Sequence, residues 1–221
     1  LKETKRGHST QEAIEVFKLI KKFGFSSNID LMYGFKDQSL ESLKETLQLA
    51  LNLAPDYITT YFLEIKPTSP EFVEYAKLSK NSEFSEKNLQ MEFIIRDFLK
   101  SNSYVQTSLS YWHNSKSKHK FKHIEEKWVE TDSCLLAFGP GTYNWIFNSF
   151  KNNYVYYKTF NLQSYYQILE QNILPIERYS ILNADETALR HLMFQFRSVN
   201  ISKKLISKLL KRTDEKTKSF V

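Results

Sequence analysis

Hydrophobic positions in the first 65 residues alternate between helical and strand-like spacing. Apolar residues recur at helical spacing over residues 9–24 and 39–55, and short apolar runs cover residues 28–34 and 57–65. The order helix, strand, helix, strand is typical of βα units and predicts a parallel sheet or barrel. The helical apolar positions are Ala13, Phe17, Ile20, Leu43, Leu47, Ala50 and Leu51.

The middle of the chain continues with mixed patterns. A helix is predicted from Ser85, and the alternation over residues 104–112 predicts one further strand. The Lys- and His-rich residues 113–127 are predicted to form a loop. Gly139, Pro140 and Gly141 follow an apolar run, where they predict a tight turn and allow the backbone to approach a ligand closely. A plain turn explains these three residues equally well.

The end of the chain is predicted to be a separate helical piece. Asn183 and Glu186 have the spacing of a capping box at the start of one helix. A second helical run follows over residues 201–210.

Asp30 interrupts the apolar run of residues 28–34, which ends at Gly34. We expect this run to be a buried strand, in which a carboxylate needs a partner because an unpaired buried charge is costly. Two interpretations stay open. Asp30 is either a structural residue that hydrogen-bonds to the backbone, or a carboxylate that accepts ribose hydroxyls at the ligand-binding end of a βα unit.

Composition narrows the class of protein. The chain has 221 residues, of which 41% are hydrophobic, and this suffices for one or two domains with a buried core. Its one cysteine, Cys134, excludes a disulfide framework within the chain and is best interpreted as a small buried apolar residue. A reducing cytoplasm is the expected setting. No apolar run approaches the roughly 20 residues that a membrane span needs, so no membrane partner is expected.

The net charge of +6 is concentrated in two segments. Residues 198–221 carry seven Lys or Arg against two acids, and residues 114–127 carry five Lys against two Glu. No nucleic-acid-binding motif accompanies them, so solvated surfaces explain them better than nucleic acid does. His119 and His123 have i,i+4 spacing but lie among lysines in a predicted loop, and we assign no metal site to them.

Several collinear segments carry a family resemblance. Residues 24–70 contain NIDLMYGFKDQ and PDYITTYFLEIKPTSP, and residues 132–145 read DSCLLAFGPGTYNW. The other segments are LKETKRGHS, FLKSNSYVQTSLSYW, YYKTFNLQSYYQIL and HLMFQFRSVNIS. In this order they resemble the oxygen-independent coproporphyrinogen III oxidase family of radical SAM proteins, the HemN and HemW group.

The resemblance implies an α/β fold in two parts. Residues 1–150 would form the carboxyl part of a partial (β/α) radical SAM barrel, with S-adenosylmethionine across the carboxyl ends of its strands. Residues 151–221 would form a small helical domain like the C-terminal domain of HemN, and this domain is expected to be truncated.

The resemblance also implies roles for particular residues. Arg6 would contact the methionine carboxylate of S-adenosylmethionine, and Asp30 would accept its ribose hydroxyls. The adenine would lie along the backbone of Phe62, Leu63 and Glu64. Part of the floor of a cavity for the substrate or a second cofactor would come from Gly139, Gly141 and Thr142.

Departures from the family pattern limit these expectations. The CxxxCxxC loop that holds a [4Fe-4S] cluster in the family is absent, and its ligands are expected upstream of Leu1. This chain alone is therefore expected to be inactive. Lys36 replaces the usual Pro, Ser103 replaces the usual Gly, and the RHN..YW motif of HemW is eroded to KHKFKHIEEKW.

The resemblance leaves three related functions open. The first is oxidative decarboxylation of tetrapyrrole propionates through a 5′-deoxyadenosyl radical, as in coproporphyrinogen III oxidase, with an electron donor such as a flavodoxin. The second is a radical SAM methyltransferase of the anaerobic haem-degrading type. The third is a haem chaperone of the HemW type.

Overall fold

The computed structural model describes residues 7–119, 134–147 and 153–197, together with Lys203 and Ser207. The chain divides into two compact units, Leu1–Lys120 and Phe121–Val221. This division precedes the boundary predicted after residue 150, because the strand Tyr143–Ile146 pairs with strand Asn153–Lys158 in the second unit.

The helix, strand, helix, strand order predicted for the first 65 residues is confirmed. Ser9 and Glu12 form the predicted capping box, in which the Ser9 amide donates to Glu12 Oε2 over 2.7 Å. The helices and strands of the first unit are α1 (Thr10–Lys22), β1 (Asn28–Tyr33), α2 (Leu40–Asn52), β2 (Tyr57–Phe62), α3 (Phe72–Leu78), α4 (Ser82–Ser101), β3 (Tyr104–Gln106) and β4 (Tyr111–Asn114).

The first sheet is mixed, with strand order β1-β2-β4-β3. Strands β1 and β2 are parallel, as predicted, whereas β4 is antiparallel to both β2 and β3. The prediction of a single strand over residues 104–112 is therefore wrong. Only residues 107–110 separate β3 from β4, and so short a connection joins antiparallel strands but is too short for a parallel crossover.

Helices α2 and α4 pack on one face of this sheet and form the core with it. Every residue of that core is at most 3% exposed. Burial of these side chains stabilises the unit because each removes apolar surface from water. The core residues are Leu43, Leu47, Ile58, Met91, Ile95, Leu99, Tyr104 and Trp112.

The second unit contains a three-stranded antiparallel sheet as well as helices. Its described elements are β5 (Tyr143–Ile146), β6 (Asn153–Lys158), α5 (Leu162–Glu170), β7 (Ile176–Leu182) and α6 (Ala184–Gln195), and the strand order is β5-β6-β7. The sequence patterns did not predict β6 and β7. The capping box of Asn183 and Glu186 at the start of α6 is confirmed. The helix predicted over residues 201–210 lies outside the described residues, apart from Lys203 and Ser207.

No helix in the described part of the chain is both long enough and apolar enough to span a membrane.

Candidate functional site

Strand register places Asp30 on the sheet face opposite the helical core. Asp30 pairs with Thr59 on β2, and Thr59 pairs with Tyr111 on β4. Directly paired residues share a face of a sheet, and the next residue along each strand points to the other face. Ile58 and Trp112 accordingly point into the core. We call the face that carries Asn28, Asp30, Thr59, Tyr61 and Tyr111 the polar face.

The Asp30 carboxylate is solvent-exposed and held by a neighbour on its own strand. Asn28 Nδ2 donates to Asp30 Oδ1 over 2.6 Å, and the Thr59 hydroxyl donates to Asn28 Oδ1 over 3.1 Å. The expectation of a buried strand is wrong here, because β1 lies at an edge of the described sheet. Water therefore solvates the Asp30 charge, and the polar chain from Thr59 through Asn28 fixes its position.

Two tyrosines extend this polar face beyond Asp30. The Tyr61 and Tyr111 hydroxyls lie 3.4 Å apart. Burial raises the pKa of Tyr61, and the hydrogen bond with Tyr111 and the negative charge of Asp30 add to the effect. Tyr61 is therefore a neutral hydroxyl near Asp30. Thr59 and Tyr61 were not predicted as site residues from the sequence. Their spacing of two residues in YITTYF was the available signal, because alternate residues of a strand lie on one face.

The strand ends next to Asp30 are held together by backbone and ring contacts. The Leu63 amide donates to the Tyr33 carbonyl over 2.8 Å, which continues the pairing of β1 and β2. The Phe62 ring lies 5.6 Å from the Tyr33 ring, edge-on, and packs against Gly34. Phe62 pairs with Tyr33, so its side chain points away from the polar face. Glu64 follows β2 and is exposed.

Asp30 thus lies on β1, and Phe62 ends the neighbouring parallel strand β2. Leu63 and Glu64 follow directly after β2. The backbone role that the resemblance implies for this stretch stays a prediction. Arg6 lies outside the described residues.

The turn that contains Gly139, Gly141 and Thr142 lies in the second unit, before β5. Gly139 and Gly141 have φ values of +103° and +67°, which residues other than glycine rarely adopt. The Gly141 amide donates to the Thr159 carbonyl over 2.9 Å, and the Thr142 hydroxyl donates to the Gly139 carbonyl over 2.9 Å. These bonds fix the tight turn that the sequence predicted.

A buried lysine also holds this turn in place. The Lys158 ammonium is 2.7 Å from the Ala137 carbonyl, and its side chain is buried. Ala137 in turn donates its amide to Asn144 Oδ1 over 2.8 Å. Lys158 and Asn144 lie on β6 and β5, so the sheet of the second unit anchors the turn.

Cysteine and histidine side chains do not assemble a metal site in the described residues. Cys134 is exposed, which corrects the expectation of a buried apolar residue, and its sulfur lies 3.3 Å from the Phe147 amide. His113 Nε2 lies 3.1 Å from the His119 carbonyl, so the contact joins one ring to a backbone oxygen and does not bring the two rings together as metal ligands. No group of three or more His, Cys, Asp or Glu residues in the described ranges has the arrangement of a metal site.

The described residues offer one group that could contact a ribose, but they do not fit an iron–sulfur cluster. Asp30 offers an exposed carboxylate for ribose hydroxyls, and among the described residues only Asn28 donates to it. A [4Fe-4S] cluster needs several thiolates, whereas the whole sequence has one cysteine. We therefore derive no step through a cluster held by this chain.

Comparisons with known proteins connect this geometry to a family. No protein-family model matches the chain. It is 30% identical over 122 residues to the haem chaperone HemW of Buchnera aphidicola (subspecies Schizaphis graminum). This match covers 51% of this chain and 32% of that protein. It is 25% identical over 196 residues to the oxygen-independent coproporphyrinogen III oxidase of Synechocystis. That match covers 83% of this chain and 41% of the oxidase.

The fold has a counterpart among solved structures. The structure of coproporphyrinogen III oxidase (HemN) from Escherichia coli, described as a radical SAM enzyme, matches with a TM-score of 0.68 and 18% identity. The match covers 92% of this chain and 48% of HemN. The chain thus spans less than half the length of these relatives. The α/β fold and the resemblance inferred from the sequence are confirmed: the chain is similar in sequence to HemW and to oxygen-independent coproporphyrinogen III oxidase, and in fold to HemN.

Proposed function

We propose that the complete protein binds S-adenosylmethionine at the polar face of the first sheet and acts on a tetrapyrrole, as coproporphyrinogen III oxidase does. Support comes from the similarity to the Synechocystis oxidase over 83% of this chain. The cytoplasm is the proposed setting, and a flavodoxin-like protein is the proposed electron donor.

The observation that carries this proposal is the position of Asp30. Its Oδ1 atom accepts a hydrogen bond from Asn28, while Oδ2 accepts none from the described residues. The carboxylate is exposed and lies on β1 opposite Thr59, three residues before the end of β2. A carboxylate with a free oxygen pairs well with the two adjacent hydroxyls of a ribose, because ionised acceptors make the stronger hydrogen bonds.

The roles of cofactor and protein are separate. When bound, S-adenosylmethionine would supply the radical chemistry, as cofactors carry the demanding step in such enzymes. Asn28 and Thr59 would orient the Asp30 carboxylate, and the neutral Tyr61 hydroxyl would present a further polar contact. The ligands of a [4Fe-4S] cluster would lie outside this chain.

Substitution of Asp30 tests the proposal. We expect Asp30→Ala in the complete protein to weaken S-adenosylmethionine binding by roughly 1–3 kcal/mol, because the ribose hydroxyls lose their acceptor. Isothermal titration calorimetry measures the affinity. Asp97→Ala is the matched control, since Asp97 is an exposed carboxylate on α4, the helix that packs on the opposite face of the sheet. Equal affinities for both variants and the unmodified protein would refute the role of Asp30.

A haem chaperone function is the second candidate. The similarity to HemW of Escherichia coli favours it, with 41% identity over 70 residues. Two assays on the reconstituted complete protein separate the candidates. An oxidase would convert coproporphyrinogen III with consumption of S-adenosylmethionine. A chaperone would instead bind haem and pass it to an acceptor without that conversion. We expect the conversion, and haem transfer without it would favour the chaperone.

A further inference from the structure

Two arginines and two tyrosines gather on one face of the second sheet. Tyr143 on β5 pairs with Tyr157 on β6, and Tyr157 pairs with Arg178 on β7. These three residues therefore share a face of the sheet. Arg190 of α6 reaches the same place, because its Nη2 atom donates to the Tyr143 hydroxyl over 2.6 Å. We call these four residues the arginine–tyrosine cluster.

Aromatic rings hold the Arg190 guanidinium in one position. It lies 3.8 Å from the centre of the Trp145 ring and 4.3 Å from that of Phe194. Both rings attract the positive charge of the guanidinium through their electron-rich faces. Its side chain is partly buried, and this burial lowers the pKa of Arg190. The group is thus a fixed, partly desolvated positive charge.

A second guanidinium, that of the exposed Arg178, contacts one tyrosine of the pair. Arg178 stacks 4.1 Å from the centre of the Tyr157 ring. The Tyr143 and Tyr157 rings contact each other edge-on at 5.2 Å, and the Tyr157 hydroxyl also interacts electrostatically with Arg190. The tyrosine pair therefore bridges two positive charges, which repel each other unless an anion lies close to both.

The nearby carboxylates have other partners. Glu186, one turn before Arg190, accepts a hydrogen bond from the Asn183 amide over 2.9 Å in the capping box. Glu177, next to Arg178 in sequence, accepts one from the Phe160 amide over 3.1 Å. Within the described ranges, the ion pairs found are Lys21 with Asp56 and Lys36 with Glu74. Neither arginine of the cluster is paired with an acid of those ranges.

We propose that the arginine–tyrosine cluster binds a small oxyanion, either a carboxylate or a phosphate group. A guanidinium edge matches two oxygens of such a group with parallel hydrogen bonds. The Tyr143 oxygen already accepts a hydrogen bond from Arg190, so the Tyr143 hydroxyl proton remains available for the anion. This site lies in the second unit, and it requires neither S-adenosylmethionine nor the proposed role of Asp30.

Arginine side-chain NMR on the chain labelled with ¹⁵N-arginine tests this site. Sodium benzoate and sodium phosphate are titrated separately, with sodium chloride keeping the ionic strength constant. We expect saturable shifts of the Arg178 and Arg190 Nε–H signals with at least one of the two probes. The probe that binds identifies the source of the oxyanion as a carboxylate or a phosphate.

Variants decide whether the cluster is responsible. We expect Arg190→Gln to weaken binding of the active probe about tenfold or more, because the oxyanion loses hydrogen bonds from a charged donor. Arg178→Gln should also weaken it. Arg96→Gln is the matched control, since Arg96 stacks 4.7 Å from the Phe93 ring centre in the first unit. It should leave the affinity unchanged.

Tyr143→Phe keeps the test decisive if Arg190→Gln fails to fold. This change keeps the ring and removes only the hydroxyl that contacts Arg190, and it should weaken binding of the active probe. The absence of saturable shifts with both probes would overturn the proposal. Equal weakening by Arg96→Gln, or unchanged affinity in Tyr143→Phe, would overturn it as well.

Discussion

At the scale of single residues, Asp56 is a buried carboxylate that joins three segments of the first unit. It accepts hydrogen bonds from the amide and hydroxyl of Ser27, over 2.8 and 2.7 Å, and from the Ser117 hydroxyl. Lys21 Nζ lies 3.6 Å away. Burial opposes ionisation, but the hydrogen bonds from Ser117 and Ser27 and the charge of Lys21 outweigh it, so the pKa of Asp56 is lowered.

This lowered pKa predicts a dependence of stability on pH. Its contribution to stability is complete above the unfolded pKa of about 3.9 and is lost as the pH falls through the lower folded value. We expect Asp56→Asn to lower the free energy of unfolding at neutral pH by roughly 1–3 kcal/mol. The variant should also lose less stability than the unmodified chain on acidification. Urea denaturation at several pH values measures both effects.

The control for this prediction is Asp97→Asn, which changes an exposed carboxylate on α4. It should leave the free energy of unfolding nearly unchanged at neutral pH. An Asp56→Asn variant as stable and as acid-sensitive as this control would contradict the role of Asp56.

Sequence reasoning found Asp30 but not Asp56, for a physical reason. Asp30 interrupts an apolar run, so the local pattern marks it. Asp56 follows Pro55 between elements, and its hydrogen-bond partners are 29 and 61 residues away in sequence. Only the folded chain brings these partners together. The same holds for the contact between Tyr61 and Tyr111, which are 50 residues apart.

At the scale of elements, the carboxyl ends of β1 and β2 depend on one close contact. Gly34 has a φ of +89°, and a Cβ atom placed there would lie 2.5 Å from the nearest ring carbon of Phe62. Gly24, after α1, has a φ of +71° with nothing within 4 Å of such an atom. The two glycines thus both have a positive φ but differ in their surroundings.

Alanine substitutions separate the backbone cost from the contact with Phe62. We expect Gly24→Ala to lower the free energy of unfolding by roughly 1–2 kcal/mol through the backbone alone, and Gly34→Ala to lower it further. Thermal and urea unfolding measure the difference. Phe62→Ala in the Gly34→Ala background should remove the additional loss, as a double-mutant cycle reports. Equal losses at the two glycines would show that Phe62 imposes no constraint.

Elements with strong local signals were predictable and the others were not. The caps at Ser9 and Asn183 and the helical spacing after them predicted α1 and α6 correctly. The short link at residues 107–110 was not recognised, so β3 and β4 were merged into one strand. Strand β7 was missed because nearly all of its residues are exposed, so it has no apolar alternation to detect.

At the scale of the whole molecule, the order of the segments that resemble the family predicted the fold better than any local pattern did. The match to HemN covers 92% of this chain at 18% identity. At such low identity the match shows a common arrangement of helices and strands. The sequence alone did not predict the arginine–tyrosine cluster, because it requires the pairing of β5, β6 and β7.

The most direct test of the proposed site is a crystal structure of the complete protein with S-adenosylmethionine bound. We expect the ribose hydroxyls to lie within hydrogen-bonding distance of the Asp30 carboxylate, about 2.5–3.0 Å between oxygens. The adenine should lie along the backbone of residues 62–64. A nucleoside bound away from the polar face, with Asp30 still contacting only Asn28, would contradict the proposed function.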